Sequence, residues 1–192
     1  MPEPEPQGLR ARKKVQTRLD IKREAFRLFD RQGYANTTVE QIAEAANVSP
    51  RTFYRYFGVK EALLLSEDHI PPIVEAFANA PADLPIVDAY RHGLATFYAS
   101  LSPEEREAAV AGERMMYEIP EARGLVYSSY VRLIAQITAA LKRRPDAPAD
   151  ELERRVIAGA IVGVLIAAAH ENPVPDSAMD EMLAILATRL PR

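Results

Sequence analysis

The sequence predicts an all-α protein: a three-helix helix-turn-helix module at the N-terminal end, joined to a larger helical domain, with about nine helices in all. Three observations carry this. Apolar residues recur at helical spacing along most of the chain. Ser, Thr and Pro stand where helices open. No alternating apolar and polar run bounded by hairpin turns occurs, so the strand signal is missing.

The elements follow in order. Leu19, Ile21, Ala25, Phe26, Leu28 and Phe29 repeat at helical spacing among charged neighbours, and Gly33 closes this first helix. Thr37-Thr38-Val39-Glu40-Gln41 offers a threonine cap with a glutamine behind it, opening a short helix through Ala46. Asn47 tolerates the left-handed backbone of a tight turn, after which Ser49 and Pro50 open a third helix to about Phe57. Two short helices around a tight turn, behind a longer one, form a helix-turn-helix. Beyond it, a helix from Lys60 to Ile70 is expected to stop at Pro71-Pro72, and another to run to about Asn79. Pro85 opens one to about Leu101, the Ser102-Pro103-Glu104-Glu105 cap one to near Glu118, and Pro120 one to about Arg143. Two more span about 150–171 and 177–190. The expected division is a disordered basic arm at 1–15, the helix-turn-helix domain at 16–63 and a second domain at 64–192.

Composition excludes several function classes. With 48% apolar and 27% charged residues in 192, the chain can fill one or two cores. It has no cysteine, which removes disulfide scaffolds, cysteine nucleophiles and thiolate zinc sites and suits a reducing, cytoplasmic setting. Its three histidines lie at no metal-binding spacing, and there is no GxSxG and no phosphate loop. No enzyme, cofactor or metal is expected. The acidic, proline-rich start does not read as a targeting peptide, and the apolar run Val156 to Ala169 falls short of the roughly 20 residues of a membrane span, so no membrane partner is expected.

Charge localises the chemistry. The net charge is −3, yet residues 8–60 carry 12 Lys/Arg against 5 acids, net +7, while residues 61–192 carry 12 against 20, net −8. A cationic unit joined to an anionic one suits a first part that meets a polyanion. On the third helix, Phe53 and Phe57 share one face, inward with Val39, Ile42 and Ala46, whereas Arg51, Thr52, Tyr54, Arg55 and Tyr56 occupy the others. A major groove admits one such helix, and there arginine pairs with guanine edges while hydroxyls bind phosphate oxygens. An architectural protein that binds DNA without reading sequence would share the basic end but leave the acidic part idle. A helical enzyme is the other alternative.

The stretch from Gly33 through Phe57, followed by Lys60-Glu61-Ala62-Leu63, resembles the DNA-binding region of TetR-family transcriptional regulators, over about 45 residues from Leu19 to Leu63. The resemblance implies a homodimer whose two recognition helices enter successive major grooves of a pseudo-palindromic operator in double-stranded DNA, with repression relieved by a small effector. It places Thr38 and Lys60 at phosphate-contacting positions, Ser49 and Pro50 at the start of the recognition helix, Arg51, Thr52 and Arg55 at base readout, and Tyr54 and Tyr56 on backbone or thymine methyls. Asn47 stands where the family often has glycine. The basic segment Arg10-Ala11-Arg12-Lys13-Lys14 would add phosphate or minor-groove contacts.

The remainder resembles the family's divergent ligand-binding and dimerisation part. Gly159 and Gly163 lie four apart on an apolar helix, and Met179, Met182, Leu183, Leu186 and Leu190 follow on the last one, so the helices at about 150–171 and 177–190 are expected to form the dimer interface. Candidate effector-binding side chains are His92, Tyr98, Arg114, Met115, Met116, Tyr117, Tyr127 and Tyr130, because Met and Tyr make adaptable walls with hydroxyl ends. The stretch from Arg114 to Arg123 resembles a subgroup whose ligands are acyl-CoA-like. The segment from Lys60 to Ile70 is the expected lever between reader and pocket.

Overall fold

The computed structural model of the chain describes residues 6–65, 69–171 and 177–189, and all regular structure among them is helical. The order is α1 (Pro6–Gln32), α2 (Val39–Ala45), α3 (Pro50–Phe57), a 3-10 turn (Lys60–Leu64), α4 (Ile70–Ala78), α5 (Ile86–Ser100), α6 (Pro103–Glu118), a second 3-10 turn (Pro120–Ala122), α7 (Arg123–Leu141), α8 (Glu151–Glu171) and α9 (Ser177–Arg189). The chain divides into two compact units, Met1–Leu63 and Leu64–Arg192. No helix among the described residues is long and apolar enough to cross a membrane.

In the first unit the periodic residues of α1 meet those of α2 and α3. Ile21, Ala25, Leu28 and Phe29 are buried, as are Val39, Ile42, Ala43, Phe53 and Phe57. Each fully buried Val, Leu, Ile or Phe among them contributes roughly 1.5–3 kcal/mol, enough to hold two helices too short to persist in water alone.

The second unit is built on α4, α5, α7, α8 and α9, around Phe77, Tyr90, Phe97, Leu133, Ile137, Leu141, Ile161, Val162 and Leu183. Its α4 and α5 touch at Gly93, where an added Cβ would lie 2.8 Å from the Phe77 nitrogen and 2.9 Å from the Ile73 oxygen. Only a residue without a side chain permits that approach. At one end of this bundle the buried Arg144 donates to the carbonyls of Phe77, Ala80, Pro81 and Leu84, at 3.0 to 3.4 Å, and its Nε to Asp146 at 2.9 Å. It thereby satisfies carbonyls left over where α4 ends. Arg91 ties α5 to α9 through Asp180, two bonds of 2.7 Å, and Arg143 ties α7 to α4 through Glu75 at 2.6 and 2.8 Å.

Three expectations change. The residues taken as a disordered arm are helical from Pro6, because the basic segment favours helix even though it lacks an apolar stripe. Pro71 and Pro72 open α4 instead of stopping the helix before it, since the first turn of a helix has no use for their missing N–H groups. Lys60 begins a 3-10 turn that ends at Leu64 and Leu65 is not helical, so the expected lever is not one continuous helix; residues 66–68 lie outside the described set.

Candidate nucleic-acid interface

Two local caps shape the surface of the first unit. Thr38 Oγ1 accepts the Gln41 N–H at 3.2 Å while Gln41 Oε1 accepts the Thr38 N–H at 2.9 Å, a reciprocal box that starts α2. Gln32 from the end of α1 donates to the same Gln41 oxygen at 3.0 Å and to the Asn36 carbonyl at 3.0 Å, fastening the connection. Asn47 takes φ +53°, the left-handed turn expected of it. Ser49 Oγ accepts the Thr52 N–H at 3.1 Å, Pro50 takes the first position, and α3 follows.

With Phe53 and Phe57 buried, the opposite side of α3 is presented to solvent. Arg51, Tyr54 and Arg55 are exposed, Thr52 and Tyr56 half-buried. Arg51 and Arg55 form no ion pair among the described residues; Arg55 lies 5.4 Å from the Tyr56 ring centroid. Pro50 and the caps Thr38 and Ser49 are exposed. Elsewhere on this unit two arginines are already paired. Arg23 binds Asp20 at 2.9 Å and Arg27 binds Glu24 at 2.8 Å, and hydrogen bonding from Arg27 holds the Glu24 carboxyl below the usual carboxylate range.

Lys60 has a place that sequence reasoning did not supply. Its Nζ donates to the carbonyls of Tyr34 and Thr37, both at 3.0 Å, and sits 4.0 Å from the Tyr34 ring centroid. Tyr34 in turn donates its hydroxyl to Glu61 at 3.1 Å. The ammonium therefore spends two of its three donors on the loop between α1 and α2. Arg18, also unforeseen, reaches from α1 to the Tyr56 carbonyl at 2.9 Å. Neither contact has a local signal, because the partners are 23 to 38 residues away. Lys13 and Lys14 are exposed on α1, and the side chains of Arg10 and Arg12 lie outside the described set.

The effector candidates do not all converge. Tyr117 and Tyr130 share a hydrogen bond between their hydroxyls, joining α6 to α7. Tyr98 and Tyr130 pack against the core of the second unit beside Tyr90. Burial pushes the Tyr90 hydroxyl well above its ordinary titration range, with the nearby Tyr98 and Tyr130 adding to it. Met115 is half-buried and Met116 buried. His92 is exposed, Tyr127 is 69% exposed, and Arg114 is exposed and paired with Glu118 at 2.9 Å. These three lie on the surface, because the sequence does not say which faces of α5, α6 and α7 turn inward. Tyr90, absent from the sequence-based candidates, is buried in the core against which Tyr98 and Tyr130 pack.

Comparison with known proteins matches two stretches of the chain. Residues 21–66 match the profile described as bacterial regulatory proteins, tetR family, and residues 84–191 that of the MftR C-terminal domain. The chain is 55% identical over 73 residues to the HTH-type transcriptional regulator TcmR of Streptomyces glaucescens, a match covering 38% of this chain and 31% of the relative. It is 33% identical over 129 residues to the regulator EthR of Mycolicibacterium smegmatis, covering 62% of this chain and 58% of the relative. The matched parts thus span less than two thirds of either relative. In fold it is similar to Thermus thermophilus FadR, a TetR-family transcriptional repressor solved with lauroyl-CoA, at TM-score 0.50 and 23% identity, covering 91% of this chain and 96% of that one.

Proposed function

The chain belongs to the TetR family of bacterial regulatory proteins, and we propose that it is a ligand-responsive transcriptional regulator, a repressor, that reads duplex DNA with α3. The observation that carries this is the exposed pair Arg51 and Arg55 beside Tyr54, unneutralised on a capped helix whose other face is buried. Arg51, Thr52 and Arg55 take base edges, Tyr54 and Tyr56 thymine methyls or backbone, and Thr38, Ser49 and Lys60 phosphates. Pro50 sets where α3 begins. Selection from a random DNA pool tests the proposal: it should return an inverted repeat with half-sites about 34–36 Å apart. A pool that stays unenriched refutes it. Enrichment without a repeat refutes paired reading, and binding without sequence preference points to the architectural alternative.

The functional unit is proposed to be a homodimer. Leu152 and Val156 on α8 are 68% and 64% exposed, Ile166 is 43% exposed, and nothing stands within 4 Å of a Cβ built on Gly159 or Gly163. Positions 152, 156, 159, 163 and 166 alternate steps of four and three, the spacing of a helix-packing seam. Ile185 on α9, 62% exposed, extends it. A second copy laid on this stripe buries it as a four-helix bundle. Sedimentation at micromolar concentration should give a dimer; a monomer contradicts it.

The effector is proposed to be a small, largely apolar molecule that enters beside Tyr98, Tyr117 and Tyr130 and displaces their mutual contacts. If it fits better when the recognition helices are wrongly spaced, it lowers DNA affinity by a coupling of about 1–3 kcal/mol. Lauroyl-CoA is the first probe for an acyl-CoA-like ligand. Binding of the probe that leaves DNA affinity unchanged contradicts the linkage.

A further inference from the structure

Arg18 is a cation of the first unit whose placement the reading of DNA by α3 does not use. It stands half-buried on α1. Its Nη1 donates to the Tyr56 carbonyl at 2.9 Å, and its guanidinium carbon lies 4.4 Å from the centroid of the Phe57 ring. Tyr56 belongs to the last turn of α3, where carbonyls lack intrahelical donors and the helix dipole is negative. Phe57, 8% exposed, anchors the same turn in the core. One planar side chain therefore grips both the backbone and an anchoring ring at the end of α3.

The geometry matters because α3 is short. Its eight residues extend about 12 Å. The Ser49 cap and the Asn47 turn fix its beginning, whereas Gly58, at φ +75°, leads the chain away at its end. Phe57 seats the end of α3 in the core; loss of the Arg18 contacts leaves that seat alone to set the tilt of the helix, and a tilt about its start displaces Arg55 and Tyr56 most. Bidentate contacts to base edges do not tolerate such shifts, whereas contacts to the continuous phosphate backbone do.

We propose that Arg18 is a positioning residue for sequence recognition: it sets the pitch of α3 so that Arg51, Thr52 and Arg55 meet the bases in register, and its charge is spent inside the protein instead of on phosphate. The proposal rests on the reading of DNA by α3. A lysine at this position keeps the charge but loses the planar fork that bonds the carbonyl while lying on the ring.

Arg18→Lys and Arg18→Met are compared with wild type on the duplex that wild type enriches from a random pool and on a random-sequence duplex of equal length. Titrations run at several salt concentrations, well below each protein's melting temperature. Arg18→Lys should weaken binding to the enriched duplex about tenfold while leaving the random duplex within about twofold and the salt slope unchanged. The loss should spread over every base pair that α3 reads. A phosphate contact behaves otherwise: Arg18→Lys would keep both affinities, and Arg18→Met would lower both alike and reduce the salt slope by about one. Either result overturns the proposal while the reading of DNA stands. Without DNA, both variants should speed amide exchange at Phe57 and Gly58 relative to α2, and unchanged exchange overturns it as well. If wild type enriches no duplex, the reading of DNA falls and this inference falls with it.

Discussion

Arg51 and Arg55 on α3 stand in solvent with no ion pair among the described residues, whereas Arg91, Arg143 and Arg144 in the second unit each hold a carboxylate, and Arg144 also four backbone carbonyls. The same side chain serves two purposes, and its partner decides which. In the second unit, acids are in excess and arginine joins helix to helix. On α3 none is near, so the charge stays available to an outside anion. The net +7 of residues 8–60 already cancels the acids that Arg23 and Arg27 hold; what it overstates is the reach of Arg18 and Lys60, whose donors are turned onto backbone carbonyls within the unit.

Replacing Arg144 tests the internal half of this contrast most severely. Arg144→Met leaves the carbonyls of Phe77, Ala80, Pro81 and Leu84 without their donor, and should cost about 3–5 kcal/mol in urea unfolding. A loss below about 1 kcal/mol would mean that solvent replaces it. Lys60 stands between the two classes. Lys60→Met should destabilise the protein by about 2 kcal/mol, through the carbonyls of Tyr34 and Thr37, and weaken every duplex alike. Unchanged thermal stability with weakened DNA binding would assign it wholly to phosphate.

Arg51→Ala sharpens the external half. Its unfolding midpoint should stay at the wild-type value, within about 0.5 kcal/mol, while affinity for the selected duplex falls by about 1–3 kcal/mol and preference relaxes at one base pair. Equal losses on all sequences would remove it from base readout. The smallest effect concerns Glu75, whose carboxyl is held down at about 2 by hydrogen bonds from Arg143 and then Asn79. Its folded value lies below its ordinary 4.5, so the contribution is present above about pH 4.5 and is lost as pH falls through about 2. Because the pair is exposed, solvent screening keeps the amplitude small. Wild type and Glu75→Gln should therefore differ slightly in urea midpoint at about pH 5 and converge near pH 2; a constant difference contradicts this.

What the sequence revealed follows the range of the interactions. The boundaries of α2 and α3 were legible because Thr38 with Gln41, and Ser49 with Thr52, act across three residues. Asn47 was legible for the same reason. Pro71 and Pro72 were ambiguous, since proline both ends one helix and opens the next, and only the packing of Ile73 and Phe77 decides. Arg143 and Arg144 are neighbours of identical type, yet one is exposed and the other buried under the end of α4; no local pattern separates them. Among the effector candidates, Tyr117 and Tyr130 meet while Tyr127, on the same helix as Tyr130, faces solvent. That outcome depends on how α6 and α7 pack, which a periodicity argument leaves open.

Above all, α3 is proposed to distinguish one DNA sequence from another. Competition titration of the wild-type protein, with a selected duplex labelled and random duplex as competitor at physiological salt, tests it directly. Random DNA should have to be in excess by about a thousandfold or more to displace the protein; displacement at equal concentration would mean that α3 reads no sequence.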